Sequence, residues 1–256
     1  MANSDSGESV TERIVRVLET FDADRTVQSV AEISRRAALP SSTAHRMVTD
    51  LVDTGILERD QAGRVRLGLR LWELAQRGSL ALRLRQTALP HMERVQARVR
   101  EHTQLAVLER EEALFLERLS NPRAVSNITR IAGRLPLHAS SSGLVLLAYA
   151  DESLREKLLA GPLAPVGPDT VTDPDALRAR LAEIRASGVA IAPGSIEGVA
   201  NGIAVPVRDG RPGPVIAALS VIVPRDAPTA GAVDELRAAA IRISTELGHP
   251  EAKATH

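Results

Sequence analysis

The 256-residue chain contains no cysteine. That absence excludes disulfides, thiolate metal sites and a cysteine nucleophile together. It has no net charge either, with 32 Lys and Arg against 32 Asp and Glu. No global basic field draws it onto nucleic acid, so any such footprint has to be local. Lysine is almost missing: Lys157 and Lys253 are the only two, and nearly all positive charge is arginine. The longest apolar runs, Leu144–Ala148 and Val215–Val223, are far too short to cross a bilayer. Met1–Ser9 is polar and acidic and does not resemble a signal peptide. The chain is therefore expected to be soluble and cytoplasmic, without a membrane partner, and residues 1–9 to form a disordered tail. There is no Gly-rich phosphate loop and no metal-spaced cluster, and the six histidines are scattered. No cofactor, metal site or catalytic residue is expected.

What is present is concentrated in residues 29–67. Val30, Ile33 and Ala37 have the spacing of a short amphipathic helix. Leu39-Pro40 interrupts it, because proline disfavours helical geometry in the residue before it. Ser41 is expected to cap a second helix, which buries Ala44, Val48 and Leu51 and leaves Ser42, Thr43, His45, Arg46 and Thr49 outside. Gly55 stops that helix. Ile56–Glu58 and Arg64–Leu67 read as strands joined by a turn at Asp60-Gln-Ala-Gly63. Helix, tight turn, polar-faced helix and hairpin form a winged helix-turn-helix, a DNA-reading pattern. Small hydroxyl donors and an arginine on the exposed face suit a groove crowded with phosphates and base edges. Arg64, Arg66, Arg70, Arg77, Arg83 and Arg85 supply a local basic cluster. A winged helix used for protein contact is the alternative.

The rest of the chain predicts an α+β protein of two domains. Val10, Ile14, Val17, Leu18 and Phe21 form a helix that completes the small core of a reader at residues 10–68. Leu69, Trp72, Leu80, Leu82 and Leu84 continue as a linker helix over 69–84, either a dimer contact or a rigid connection, with Gly78 and Ser79 as its hinge. A third helix is expected from Pro90 to His102. Strands follow at Leu105–Leu108, Ala113–Glu117 and Val125–Ile128, where the apolar period switches to two. Helices are expected over Leu144–Ala150, Asp151–Ala160, Asp173–Ser187 and Thr229–Leu247, with strands at Val189–Ala192, Ile203–Val207 and Val215–Val223. Together they make an α+β domain over 85–250.

Five segments in order resemble the IclR (isocitrate lyase regulator) family of bacterial transcription factors over nearly the whole chain. They are Leu39-Pro-Ser-Ser-Thr-Ala-His-Arg46, Gly63-Arg-Val-Arg-Leu-Gly68, Gly133-Arg-Leu-Pro-Leu-His-Ala-Ser140, Thr172-Asp-Pro-Asp-Ala-Leu177 and Ala217-Ala-Leu-Ser-Val221. The resemblance implies an N-terminal winged helix-turn-helix, a linker helix and a C-terminal GAF-like effector-binding domain. It implies a repressor or activator of catabolic genes that binds double-stranded operator DNA as a homodimer or tetramer (a dimer of dimers) and answers to a small organic effector, often a carboxylate. We read this chain as a repressor. Ser42, Thr43, His45 and Arg46 are assigned to the groove, Arg46 to a guanine edge; Ser41, Thr43, Arg64 and Arg66 are assigned to phosphates.

The same resemblance places effector contacts at Ala124, Asn127, Leu135, Ser141, Ile191, Val199, Asn201, Ser220 and Ile222. Ser142 and Gly143 join them because the hydroxyls and free N–H groups before an apolar helix suit an anionic or amide oxygen; the alternative is that one of these serines is an N-cap. The family's usual arginine-cysteine pair is replaced here by Ala200 and Asn201, and only Glu197 keeps a charge. A carboxylate or amide somewhat larger than the family's two- and three-carbon acids is expected, aromatic and aliphatic ones alike. A serine hydrolase built on Ser140–Ser142 and His138 is the enzyme alternative. It lacks a G-x-S-x-G elbow, since Gly194-Ser-Ile-Glu-Gly198 has the wrong register.

Overall fold

The computed structural model describes residues 8–22, 24–77, 79–121, 124 and 129–248. It divides into two compact units, Met1–Leu82 and Arg83–His256.

The first unit opens with helix α1, Val10–Leu18, and ends with α4, Leu69–Gln76. Between them lie β1 (Val27–Gln28), α2 (Val30–Arg36), α3 (Ser41–Asp53), β2 (Leu57–Arg59) and β3 (Val65–Leu67). Two capping boxes set the first helices. Ser9 Oγ accepts from the Glu12 N–H at 3.1 Å while Ser9 N–H donates to Glu12 Oε2 at 2.7 Å. Ser29 and Glu32 repeat the arrangement at 3.3 and 2.7 Å. The apolar faces of α1, α2 and α3 meet the wing in one core of Val17, Ile33, Ala44, Val48, Leu57 and Val65. The wing is a three-stranded antiparallel sheet of order β1-β3-β2. Its shortest strand, β1, is two residues long and gives no period to read in the sequence. Gly55, at φ +75°, takes the left-handed turn that ends α3.

Two expectations in this unit change. Ser41 does not cap α3: the first helical bond runs from Ala44 N–H to the Pro40 carbonyl at 2.9 Å, so Pro40 is the N-cap and Ser41 the first helical residue. The linker is not one helix over 69–84. Helix α4 closes at Arg77, and a new helix, α5, starts at Leu80 and runs to Val99.

Helix α5 passes through Pro90, where a helix start was expected. Proline removes one backbone hydrogen bond, yet Leu84, Ala88, Met92 and Val95 stay buried in one stripe on both sides of it. Burial of that stripe keeps the helix continuous. The chain leaves it at Arg100 (φ +61°), so His102 begins a strand.

The second unit continues with β4 (His102–Glu109), β5 (Glu112–Leu119), β6 (Arg134–Pro136), α6 (Ser141–Ala148), α7 (Glu152–Ala160), α8 (Pro174–Ser187), β7 (Ala190–Pro193), β8 (Ala200–Arg208), β9 (Val215–Pro224) and α9 (Ala230–Leu247). Among the described residues its six strands form one antiparallel sheet of order β6-β5-β4-β9-β8-β7. Strand β6 falls where no strand was expected, and the strand expected at Val125–Ile128 lies outside the described residues. Period-two alternation sends Leu105, Ile203, Val205, Leu219 and Val221 to one face, under α5 and α9. It sends Ala106, Ala204 and Ala218 to the other, under α6 and α8. Small residues on this second face let α6, apolar all round, lie close to the strands. The architecture is α+β, as its residue pattern predicts.

Candidate nucleic-acid interface and ligand cavity

In the first unit the polar face of α3 is free. Ala44, Met47, Val48 and Leu51 are buried, so the helical period turns Ser41, Ser42, His45, Arg46 and Thr49 to solvent and leaves Thr43 half-buried. Thr49 donates its hydroxyl to the His45 carbonyl at 2.9 Å. Arg46 has no ion-pair or hydrogen-bond partner among the described residues.

The arginines of the wing are different. Arg64 Nε donates to Asp60 Oδ2 at 2.9 Å. Arg66 donates through Nε and Nη2 to Glu58 Oε2 at 3.0 and 2.9 Å. Both carboxylates are held below their usual pKa. For Glu58 the backbone N–H of Leu69 is the larger cause and the Arg66 side chain the next; for Asp60 it is the backbone N–H of Arg64. The basic cluster read from the sequence is thus largely neutralised. Arg70 pairs with Glu73 at 3.1 Å and Arg85 with the buried Glu117 at 2.6 Å, and Arg83 donates to the Leu247 carbonyl at 2.7 Å. The unpaired cation of the recognition helix is Arg46.

In the second unit a small cavity lies between the α6 face of the sheet and the loop 193–200; with the open solvent at its mouth counted, the unfilled space is about 440 Å³. Phe115, Leu135, Ile196 and Ile222 give it apolar walls. Its polar lining comes from Gln104, Thr129, Ser140, Ser141, Ser142 and Glu197. Ser140 is the N-cap of α6, its Oγ accepting from Gly143 N–H at 3.0 Å. Ser142 donates to Ser220 Oγ at 2.9 Å, Ser220 donates to Gln104 Oε1 at 3.4 Å, and the Gln104 amide donates to Thr129 Oγ1. These four side chains form a continuous hydrogen-bonded floor from α6 across β9 and β4. Gly202 makes the approach of α6 to β8 possible, because a Cβ there would stand 2.6 Å from Ser141 Oγ.

The expected effector residues divide. Leu135, Ser141, Ser142 and Ile222 line the cavity, with Ser220 directly beneath them. Gly143 lies under the turn, where a Cβ would meet the Leu137 carbonyl at 2.5 Å, and is not a wall. Ala124 is half-buried and does not line the cavity; Asn127 lies outside the described residues. Ile191, Val199 and Asn201 are displaced by one position. The cavity is lined by their neighbours Ala192, Ala200 and Gly202. Asn201 pairs with Val223, a core residue under α5 and α9, and alternation carries its side chain to that face. Ile191 pairs with Ile203 and packs in the same core, and Val199 is 63 % exposed. A one-residue slip in a strand exchanges its faces, so the expected role for Asn201 in ligand selection is withdrawn. Gln104, Phe115, Thr129, Ala139, Ser140, Ala192, Ile196, Glu197, Ala200 and Gly202 also line it and were not among the expected contacts. The usable signals were a glutamine inside an apolar strand and a glycine inside another.

His138 Nε2 donates to the Ala164 carbonyl at 2.9 Å, and the hydroxyls of Ser140 and Ser142 are engaged as above. The imidazole therefore fixes the loop after α7, and no serine–histidine pair forms among the described residues.

A winged helix-turn-helix joined to an α+β unit with an internal cavity is the build of a helix-turn-helix transcriptional regulator. Residues 10–61 match the IclR helix-turn-helix domain and residues 80–247 the C-terminal domain of bacterial IclR transcriptional regulators, and the chain belongs to the IclR family. It is 30 % identical over 247 residues to the HTH-type transcriptional regulator XynR of Escherichia coli, covering 93 % of this chain and 97 % of that protein. It is also 30 % identical over 212 residues to the Pca regulon regulatory protein of Pseudomonas putida, covering 82 % and 72 %. Among solved structures, an IclR homolog from Microbacterium hydrocarbonoxydans complexed with 4-hydroxybenzoate is 63 % identical, with a TM-score of 0.89, covering 93 % of this chain and 99 % of that one. The relatives are named as transcriptional regulators, not enzymes. Among the described residues no helix is long and apolar enough to cross a membrane.

Proposed function

We propose that this protein is a repressor whose affinity for double-stranded operator DNA is set by a small aromatic carboxylate of the 4-hydroxybenzoate kind. The observation that carries this reading is the cavity. An aromatic wall at Phe115 and aliphatic walls at Leu135, Ile196 and Ile222 suit a ring. The first turn of α6, whose N–H groups at Ser141 and Ser142 have no helical partner, suits a carboxylate. The complex of the 63 % identical homolog with 4-hydroxybenzoate supports the same class of ligand. On the reader, Ser42, Thr43, His45 and Arg46 face the groove, and Ser41, Arg64 and Arg66 meet phosphates. A homodimer or dimer of dimers supplies two half-sites, which gives specificity to a module with few groove-facing side chains.

The test is a gel shift on DNA flanking the protein's own gene, repeated across salt and with 4-hydroxybenzoate, benzoate and benzamide. We expect a sequence-specific complex that weakens steeply with salt and is dissociated by one of the acids. Differential affinity for free and DNA-bound protein is the only lever a ligand has. A complex stabilised by the ligand overturns release by the effector, and loss of the bound protein's block on transcription in vitro is the readout that tests repression. Absence of any thermal shift with all three compounds overturns the ligand class.

A further inference from the structure

One carboxylate in the first unit touches two elements at once. Glu58 lies on β2 directly opposite Arg66 of β3. Its Oε2 takes both Arg66 donors, and its Oε1 accepts the backbone N–H of Leu69 at 3.1 Å. Leu69 is the first residue of α4, and Gly68 at the N-cap has no side chain to offer. Glu58 therefore caps α4 from the wing. Asp60 makes an instructive contrast: it holds Arg64 and the N–H groups of Ala62 and Arg64, all within its own turn, and reaches no other element.

We propose that Glu58 is a positioning residue that ties the availability of Arg66 for the DNA backbone to the placement of the first turn of α4. The proposal rests on the DNA-binding reading above. An exposed ion pair alone contributes little, but this carboxylate is also anchored by a backbone donor at a helix N-terminus, where negative charge is favoured. The lowered pKa of Glu58 has the same two causes, Leu69 first and Arg66 second. A phosphate approaching Arg66 competes with Glu58 for the same guanidinium edge. A shift of α4 that withdraws the Leu69 N–H loosens Glu58 and leaves Arg66 to the phosphate. The reverse also holds, because coupling between two events is reciprocal.

The test measures binding of a short duplex of random sequence by fluorescence anisotropy across salt, with full-length wild type, Glu58→Gln, Arg66→Ala and the double variant. We expect Glu58→Gln to bind several-fold more tightly and to steepen the salt slope by about 0.9, the value for one further phosphate contact. That gain should vanish in the Arg66→Ala background. An equal gain in both backgrounds shows simple removal of repulsion and overturns the proposal, as does no gain. Amide exchange over residues 69–72 tests the link to α4. Glu58→Gln keeps an acceptor for Leu69 and should preserve protection, whereas Glu58→Ala should lose it; unchanged exchange in Glu58→Ala overturns the link. Wild type that binds no duplex at low salt refutes the DNA-binding reading and the Glu58 role with it. Wild type that binds, with no gain in Glu58→Gln, refutes only the latter.

Discussion

At the scale of single residues, side-chain direction decides most of what these sites can do. Asn201 and Gly202 are adjacent in β8, yet one faces the core under α5 and α9 and the other makes room for Ser141. Replacing Gly202 by Ala puts a methyl 2.6 Å from Ser141 Oγ, so we expect isothermal titration to show weakened binding of 4-hydroxybenzoate. Asn201→Ala should leave that affinity unchanged, because its buried Oδ1 has no partner among the described residues and does not reach the cavity. A loss of ligand affinity in Asn201→Ala equal to that in Gly202→Ala would contradict the placement. On the reader, Arg46→Ala should cost roughly 1–3 kcal/mol of operator affinity and relax specificity at one base, as expected for a bidentate contact. Unchanged discrimination between operator and random duplex removes Arg46 from base readout. Residue type was legible in the sequence at these positions, and face was not. The ladder between Gly202 and Ile222 sets the parity of β8, and the expected start of that strand at Ile203 gave no hold on it.

The elements show where local signals suffice and where packing overrules them. The capping boxes at Ser9/Glu12 and Ser29/Glu32, which were not read from the sequence, each join residues three apart, and α8 opens on Pro174 within the helix expected over Asp173–Ser187. The break between α4 and α5 and the passage of α5 through Pro90 do not follow from such signals, because they depend on which leucines find a core. Leu69 and Leu80 remain exposed while Leu84 is buried. We expect Met92→Ala, two residues beyond the proline, to destabilise the second unit by about 2–5 kcal/mol, measured by urea unfolding. A loss near zero would mean that α5 is held by something other than its buried stripe. The caps also carry a pH signature. Glu12, Glu32, Glu58 and Asp60 all have lowered pKa values, chiefly from the backbone N–H groups of Ser9, Ser29, Leu69 and Arg64. A depressed folded-state pKa gives stability that is present above the unfolded value, 4.5 for Glu and 3.8 for Asp, and is lost as pH falls through the folded value. The melting temperature of the first unit should therefore be level above pH 5 as far as these groups are concerned, and decline below it.

At the scale of the whole molecule, the described residues form three buried clusters: one in the reader, and two on opposite faces of the larger sheet. Calorimetry should accordingly show two transitions, and 4-hydroxybenzoate should raise only that of the second unit, by about 2.7 kcal/mol of apparent stability at a hundredfold excess over Kd. A single transition raised as one would show that the units unfold together. Two domains of this kind were legible from length and from the helix-turn-helix and hairpin pattern completed by residue 68, well ahead of the strand pattern that begins at Leu105. The cavity was less so, because it is assembled from strands far apart in sequence.

The sheet of the second unit has a further consequence. Among the described residues its two outer strands are its shortest, β6 with three residues and β7 with four. Each ends in a proline, Pro136 and Pro193, which has no N–H to extend a ladder. A neighbouring chain finds too few rungs there to add a strand. Growth of this sheet from one copy to the next through β6 or β7 is therefore disfavoured at both of these margins.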